Sequence, residues 1–272
     1  MSSKRIRFVT DSTCDIPPEF IKRWQISVIP AFVNYGGKSY ADDGIELNRE
    51  VYYNQIATMA SHPTTAAPAP GLAEKIIMQA AEQADHLIML TAPAALSGIY
   101  NAFRLGALNL PPDRVTLIDS GSLSMGLGFQ VLVGAQTATE TDDIQEIVNT
   151  ISKVRANERV YAVPESMEFL RRSGRVGWAA ASVGSLLQIK PVVEARDGAI
   201  VNIARVRTFS KAIDKLIELA EAEAPLERLA ILHANNPEDA VIIKERLASI
   251  VPAESYILNV TPTIGTHIGP RA

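Results

Sequence analysis

Short apolar runs alternate with longer helical segments along the first half of the chain. The apolar runs predict strands at residues 6–10, 26–33, 86–90 and 115–118. After the second run, two consecutive glycines within residues 34–38 predict a hairpin. Helix signals predict helices that begin near residues 17 and 97, and others at residues 48–59 (capped by Asn48), 72–84, 125–139 and 142–156. A strand, a loop and a helix repeated four times predict a parallel sheet with helices on both faces.

The pattern changes after residue 157, where a hairpin stands among helices. Asp197 and Gly198 separate two apolar runs and predict a tight turn between antiparallel strands. Further strands are expected at residues 159–163, 229–233 and 256–260, and helices at residues 165–172, 210–222 and 237–249. We therefore expect an α/β fold of two domains: a parallel three-layer α/β/α domain over residues 1–157, and a smaller mixed-sheet α/β domain over residues 158–272.

Composition excludes several classes of protein. The chain has 272 residues, 47% of them hydrophobic, and a formal net charge of −4, which exclude a disordered chain and argue against nucleic acid as the main partner. The single cysteine, Cys14, favours a reducing compartment, so we expect a cytoplasmic protein. The longest charge-free window, residues 120–139, contains four glycines and several Ser and Gln residues, so no membrane span is expected.

Common catalytic and cofactor signatures are absent from the sequence. The four histidines, at positions 62, 86, 233 and 267, do not have the spacing of metal ligands. The chain has no complete dinucleotide fingerprint, no phosphate-binding lysine loop and no nucleophile elbow. We therefore expect neither a metal site nor a cofactor.

Hydroxyl-rich segments recur after the strands predicted in the first half. Loops at the carboxyl ends of parallel strands commonly bind ligands, because helix N-termini expose unpaired N–H groups there. Ser97 and Gly98 stand where a helix is expected to begin, and together they suit an anionic head group; alternatively, Ser97 only caps the helix. The other segments of this kind contain Asp11-Ser12-Thr13, Thr64-Thr65 and Asp119-Ser120-Gly121-Ser122.

Three further segments carry candidate chemistry, and each has a purely structural alternative. Residues 64–70 (TTAAPAP) line the entrance of a site or form a plain loop. The functional interpretation of the three arginines at positions 171, 172 and 175 is a docking or phosphate-binding patch; the alternative is a solvated helix end. His267 lies among residues that permit tight turns and is either functional or structural.

Several of these motifs together resemble the DegV family of bacterial fatty-acid-binding proteins, over essentially the whole chain. Residues 9–15 (VTDSTCD) resemble the first strand and loop of the family, and residues 97–100 (SGIY) resemble its S-G-T-Y motif. Further resemblances lie in the loop at residues 65–70 (T-S-Q-P-S-P in the family), residues 118–126 (IDSGSLSMG), 170–175 (LRRSGR, with G-G-R), 184–191 (GSLLQIKP) and 265–270 (GTHIGP).

The resemblance implies two α/β domains that hold a long-chain fatty acid between them, in a buried tunnel. It implies that Thr65, Ser97 with the adjacent Gly98, and His267 hold the carboxylate. It also implies a separate fatty acid kinase that converts the bound acid to an acyl phosphate, and hence a role in phospholipid metabolism. The chain would then be a carrier and not an enzyme, in transient contact with a membrane at most. Arg175 becomes the candidate for assisting the phosphorylated head group or docking the kinase.

The sequence also departs from the family pattern and leaves other functions open. Alanines stand at positions 66, 67 and 69 in place of Ser, Gln and Ser; Ser173 and Arg271 each stand in place of a glycine. The alternative function is a serine hydrolase acting on an acyl ester, with Ser97 as nucleophile, His267 as base and Asp119 orienting the base. A nucleic-acid-binding regulator is a third interpretation, and the net charge argues against it.

Overall fold

The computed structural model describes residues 4–180 and 189–272 and contains both strands and helices throughout. The strands are β1 (Ile6–Asp11), β2 (Ser27–Ile29), β3 (Phe32–Tyr35), β4 (Lys38–Ala41), β5 (Thr64–Ala66), β6 (His86–Thr91), β7 (Val115–Asp119), β8 (Val160–Ala162), β9 (Lys190–Arg196), β10 (Ala199–Val206), β11 (Arg228–His233) and β12 (Glu254–Asn259). The helices are α1 (Pro18–Trp24), α2 (Arg49–Ile56), α3 (Pro70–Ala81), α4 (Ile99–Gly106), α5 (Met125–Thr137), α6 (Ile144–Asn157), α7 (Met167–Ser173), α8 (Gly177–Ala180), α9 (Phe209–Ala222), α10 (Pro237–Arg246) and α11 (Pro262–Ile268).

A four-stranded parallel sheet of order β2-β1-β6-β7 forms the centre of the first half. Neighbouring residues of β1 point to opposite faces, so Phe8 packs with the apolar side chains of α1, α5 and α6. Val9 packs on the other face, with the apolar side chains of α3 and α4. Every residue of β6 is buried, as expected for a parallel strand covered on both sides. The three-layer α/β/α arrangement expected for this half is therefore present.

The predicted strand at residues 26–33 is divided into two. Pro30 lacks a backbone N–H, and the chain leaves the parallel sheet there, between β2 and β3. β3 instead forms the centre of an antiparallel sheet of order β4-β3-β5. The hairpin between β3 and β4 is confirmed, with its turn at Gly36 and Gly37, whose φ angles are 58° and 75°.

Residues 64–66, expected to lie in a loop, form the edge strand β5. Thr65 is paired with Val33 and Ala66 with Phe32 in antiparallel register. A three-residue strand followed by two prolines carries little periodicity, so the sequence pattern did not reveal it.

The strands of the second half have mixed directions, as expected, but they are divided between two sheets. β10, β9 and β8 form an antiparallel sheet, whereas β11 and β12 form a parallel pair. The predicted turn is confirmed: Asp197 and Gly198 adopt φ angles of 48° and 74° between β9 and β10. Residues of both β8 and β11 line one cavity.

The parallel pair β11-β12 packs on helices of the first half. Tyr256 of β12 makes an edge-to-face contact with Phe20 of α1, with ring centroids 5.7 Å apart, and it also lies beside Phe129 of α5. A backbone hydrogen bond from Gly198 to the carbonyl of Gly121 joins the halves at a second place. The domain boundary at residue 157 stays a prediction.

No helix within residues 4–180 and 189–272 is long and apolar enough to cross a membrane. Residues 184–188, which carry part of one family motif, lie outside the residues that the structure describes.

Candidate functional site

A cavity of about 330 Å³ lies between the antiparallel sheet with α9 and the parallel pair with α10. This volume lies at the lower end of the range of roughly 300–1,000 Å³ that is typical of small-molecule sites. Most of its wall is apolar and comes from the second half of the chain, including Val163, Leu170, Val176, Val193, Phe209, Ile213, Leu216, Leu229, Ile231, Ile243 and Leu247. The wall therefore suits a hydrocarbon chain, which gains free energy from leaving water.

Four of the candidate residues line this same cavity and give it a polar region. They are Thr65, Ser97, Arg175 and His267. Oγ1 of Thr65 lies 2.9 Å from Nε2 of His267, and an Arg175 Nη2 donates to the same threonine oxygen at 3.5 Å. The structure therefore brings together a hydroxyl, an imidazole and a guanidinium group from distant parts of the chain.

The alternation of β5 selects which threonine faces the cavity. Thr65 is half-buried, whereas its neighbours Thr64 and Ala66 are exposed on the other face of the strand. Ala66 therefore cannot remove a polar contact from the cavity, although it departs from the family pattern. Ala67 lies against Gly98, since a Cβ atom added to that glycine would be 3.5 Å from the Cβ atom of Ala67.

Helix α11 carries His267 and is held by the tyrosines of α2. The Tyr52 hydroxyl and Oγ1 of Thr266 are hydrogen-bonded at 2.6 Å. The Tyr53 hydroxyl donates to the Val260 carbonyl at 3.0 Å, and its ring lies against Gly265, where no larger residue would fit. These contacts fix the helix that positions the imidazole.

Two buried aspartates hold the beginning of α11. Asp15 accepts a hydrogen bond from the Thr261 backbone at 2.8 Å, and Asp42 accepts one from the Thr263 backbone at 2.9 Å. Asp42 also accepts from the Thr261 hydroxyl. These two carboxylates therefore satisfy N–H groups at the start of α11 that have no partner within the helix.

Arg49 compensates part of the charge of this pair. Its Nη1 lies 3.1 Å from a carboxylate oxygen of Asp15. Burial nevertheless raises the pKa of Asp15 to about 6, against the opposing effect of Arg49 and of the Ser124 hydroxyl. Burial also raises the pKa of Asp42. Sequence reasoning missed Asp42 and Arg49, because neither belongs to a recognisable motif.

The imidazole of His267 is neutral. Its pKa is lowered to about 3, mainly by burial, with smaller electrostatic contributions from Arg175 and His62. Its Nδ1 atom is buried and has no hydrogen-bond partner in residues 4–180 and 189–272. A neutral imidazole next to a hydroxyl and a guanidinium group can help to bind an anion without contributing a charge of its own.

Ser97 and Gly98 precede α4. Ser97 was expected at the capping position of this helix, but it lies one residue before that position. Gly98 occupies the N-cap position, whereas Ser97 lies one residue earlier and its Oγ accepts from the Ile99 backbone at 3.3 Å. Ser97 lines the cavity, but Gly98 is exposed and is not one of the residues that line it. The role of Gly98 in binding a carboxylate stays a prediction.

The Asp119 carboxylate accepts hydrogen bonds from two loops and not from the histidine. The donors are the backbones of Gly121 at 3.0 Å and Ala94 at 3.1 Å. His267 is hydrogen-bonded to Thr65 instead, and within the described part of the chain it makes no hydrogen bond to Ser97 or Asp119. The arrangement that a Ser-His-Asp hydrolase requires is not assembled here.

The three arginines of α7 and its end have different environments. Arg171 and Arg172 both pair with Glu168, at 2.7 and 2.6 Å, on the exposed face of the helix. Arg175 follows Gly174, whose φ of 67° ends the helix, and it donates to the Ser173 carbonyl at 2.7 Å. Of these three, only Arg175 lines the cavity.

Comparison with known proteins identifies the family. A family model described as "Uncharacterised protein, DegV family" matches residues 5–272. The chain belongs to the DegV family. A DegV domain-containing protein of Streptomyces coelicolor is 34% identical over 98% of this chain and 96% of its own length. Another, from Listeria innocua, is 32% identical over 99% of this chain and 97% of its own length.

Solved structures of DegV proteins confirm the fold class. A DegV family protein from Thermus thermophilus, described by its fatty acid binding, superposes with a TM-score of 0.89 and 27% identity, covering 98% of this chain and 96% of that chain. DegV from Bacillus subtilis, described as a fatty acid binding protein, gives a TM-score of 0.87 and 28% identity with the same coverage. The α/β architecture of the DegV family is therefore that of this chain.

Proposed function

We propose that this DegV-family protein binds a long-chain fatty acid in the cavity and presents its carboxylate to a separate fatty acid kinase for acyl phosphate formation. The observation that carries the proposal is one cavity that combines an apolar wall with a polar region at Thr65, Ser97, His267 and Arg175. The described binding of fatty acids by two DegV structures above 25% identity supports the same ligand class.

The acyl chain supplies most of the affinity in this proposal. Each buried methylene contributes about 0.8 kcal/mol, so a chain of many carbons outweighs the few polar contacts of its head. The polar contacts instead fix the register of the chain and the position of its carboxylate.

Hydroxyl and imidazole groups hold the head group in this proposal. Ser97 offers an O–H donor, and the hydrogen-bonded pair of Thr65 and His267 offers one more. This second donor is the Thr65 O–H when Nε2–H of His267 donates to the threonine, or Nδ1–H of the neutral imidazole when the Thr65 hydroxyl donates to Nε2. Gly98 does not line the cavity, so its backbone N–H at the beginning of α4 can reach the head group only at the edge of the cavity. A carboxylate held in this way keeps an oxygen available to a second protein.

Arg175 connects the cavity to the outside. Its residue is exposed, yet its guanidinium group reaches Thr65 at 3.5 Å. A kinase that docks there finds a positive charge next to the carboxylate, where a phosphoryl group would arrive. The chain itself has no phosphate-binding loop, so the nucleotide belongs to the partner in this proposal.

Ligand binding is tested on the whole protein. Organic extraction of the purified protein followed by mass spectrometry is expected to release a long-chain fatty acid. Calorimetry on the delipidated protein is expected to show that octadecanoic acid binds, and that Ser97→Ala and His267→Ala each weaken binding. A protein that neither contains nor binds a fatty acid would contradict the proposal.

Presentation to a kinase is tested separately with Arg175→Ala. With octadecanoic acid at a saturating concentration, so that any loss of affinity does not matter, this variant is expected to slow acyl phosphate formation by an added fatty acid kinase. Arg172→Ala is the matched control, because Arg172 pairs with Glu168 away from the cavity. Equal rates for the wild type and Arg175→Ala would refute the role of Arg175.

A further inference from the structure

In addition to the candidate head-group residues, two more polar side chains lie on the wall of the cavity. His233 is the last residue of β11, and Asn236 immediately precedes α10. Both line the cavity, together with the apolar side chains of Ile243 and Leu247 further along. Asn236 is only 8% exposed, so its amide is removed from water.

Asn236 occupies a helix-capping position but does not cap its helix. Asparagine is among the residues that most often accept a backbone N–H at the start of a helix. Here its side chain makes no capping hydrogen bond; instead, Nδ2 donates to Oδ2 of Asp239 at 3.1 Å. A carboxylate oxygen only accepts, so this bond fixes the orientation of the amide. Oδ1 of Asn236 is left without a partner among residues 4–180 and 189–272.

His233 also has a buried polar atom, Nδ1, without a hydrogen-bond partner in the described residues. Burial lowers the pKa of His233, against the opposing charge of Glu238, so the imidazole is neutral near pH 7. In the tautomer protonated at Nδ1, the ring offers a donor, and Asn236, three residues further along the chain, offers the acceptor.

Asn236 and His233 both line the cavity, and each has a buried polar atom that is costly when nothing binds it. A buried polar group without a partner costs about 1–3 kcal/mol. A hydroxyl group matches the pair, because it donates one hydrogen bond and accepts others. A plain hydrocarbon chain would leave both atoms unpaired.

We propose that the cavity prefers an acyl chain that carries a hydroxyl group, which donates to Oδ1 of Asn236 and accepts from Nδ1 of His233. The inference rests on the proposed function, since it adds a second polar contact to the same bound acid. In this inference, His233 and Asn236 determine which of several acids with the same carboxylate binds most tightly.

The test compares octadecanoic acid with isomers that carry a hydroxyl on the third, twelfth or last carbon. Dissociation constants are measured by calorimetry on the delipidated protein. One positional isomer is expected to bind about three- to tenfold more tightly than octadecanoic acid, the effect of one net hydrogen bond. The position of the hydroxyl in the preferred isomer then shows how many carbons separate the carboxylate from Asn236 and His233.

Variants connect the preference to these residues. Asn236→Leu and, independently, His233→Phe are expected to abolish the preference while still binding octadecanoic acid. Ile243→Val, two turns further along α10, is the control and is expected to preserve it. If octadecanoic acid binds but no isomer binds more tightly, or if both variants keep the preference, the inference is wrong. If octadecanoic acid itself does not bind, the proposed function fails, and the inference fails with it.

Discussion

Oγ1 of Thr65 and Nε2 of His267 lie 2.9 Å apart, although 202 positions separate the two residues in the sequence. One belongs to the short edge strand β5 and the other to the last helix, α11. The polar region of the cavity therefore exists only when the two halves of the chain are in contact. Changes that move either element are expected to affect ligand binding even when they do not touch the ligand.

Thr65→Val tests the threonine hydroxyl. Valine keeps the shape of the side chain and removes the oxygen that contacts His267 and Arg175. Hydrogen bonds to charged groups contribute about 1.5–3 kcal/mol, so we expect the affinity for octadecanoic acid to fall roughly 10- to 100-fold. Thr64→Val is the matched control on the exposed face of β5, and equal losses in both variants would exclude a specific role for Thr65.

The low pKa of His267 predicts a contribution to the pH dependence of stability. The pKa is about 3 in the folded protein and 6.5 ordinarily, so the unfolded chain takes up a proton between these values and the folded protein does not. The contribution of His267 is therefore complete above pH 6.5 and is lost progressively as the pH falls towards 3. The test is urea unfolding of the delipidated wild type and His267→Gln. Lowering the pH from 7 to 5 is expected to reduce the urea midpoint of the wild type more than that of the variant. Parallel pH curves would contradict a buried neutral imidazole.

Asp15 and Arg49 predict a dependence of the opposite sign. The pKa of Asp15 is raised to about 6, so its contribution to stability is fully present below pH 3.8 and is lost as the pH rises through about 6. Arg49→Met leaves the buried carboxylate without its cation, and we expect it to destabilise the protein more at pH 7.5 than at pH 5. Adding Asp15→Asn removes the charge and is expected to recover much of the loss at pH 7.5. Denaturant unfolding of the single and double variants measures this, and a loss independent of pH would show that Arg49 acts through packing.

Two glycine-to-alanine substitutions are expected to have opposite effects. A Cβ atom on Gly265 would overlap the ring of Tyr53, so Gly265→Ala is expected to cost about 1–3 kcal/mol or more and to displace α11. Gly71 lies in α3 with nothing within 4 Å of an added Cβ atom, so Gly71→Ala is expected to stabilise the protein by about 0.5–1 kcal/mol. Thermal unfolding measures both changes, and fatty acid binding is expected to weaken only in Gly265→Ala. Similar stabilities would mean that Tyr53 moves aside without cost.

Local chemistry accounts for the elements that the sequence predicted well. The side chain of Asn48 accepts from the Val51 backbone and caps α2, as expected from its residue type. Asp197 and Gly198 adopt the left-handed backbone that the turn between β9 and β10 requires. The parallel sheet followed from buried runs separated by helices, which is a pattern spread over many residues.

Elements that depend on distant partners were not predicted. β5 exists because β3 offers an edge, and nothing within its three residues indicates a strand. Asp42 became visible only in the structure, because its role depends on Thr261 and Thr263, more than two hundred positions away. Local residue patterns already made Thr65, Ser97 and His267 candidates, and the resemblance to the DegV family assigned them to a carboxylate. That all three line one cavity became visible only in the folded chain.

The cavity between β8 and β11 also couples the folding of the protein to its ligand. The two strands do not pair, so whatever occupies the space between them binds the folded chain and not the unfolded one. Mass action then adds about 2.7 kcal/mol to the free energy of unfolding when the free ligand reaches a hundred times its Kd. With the proposed ligand, the melting temperature of the protein is expected to rise with the concentration of free fatty acid in its surroundings.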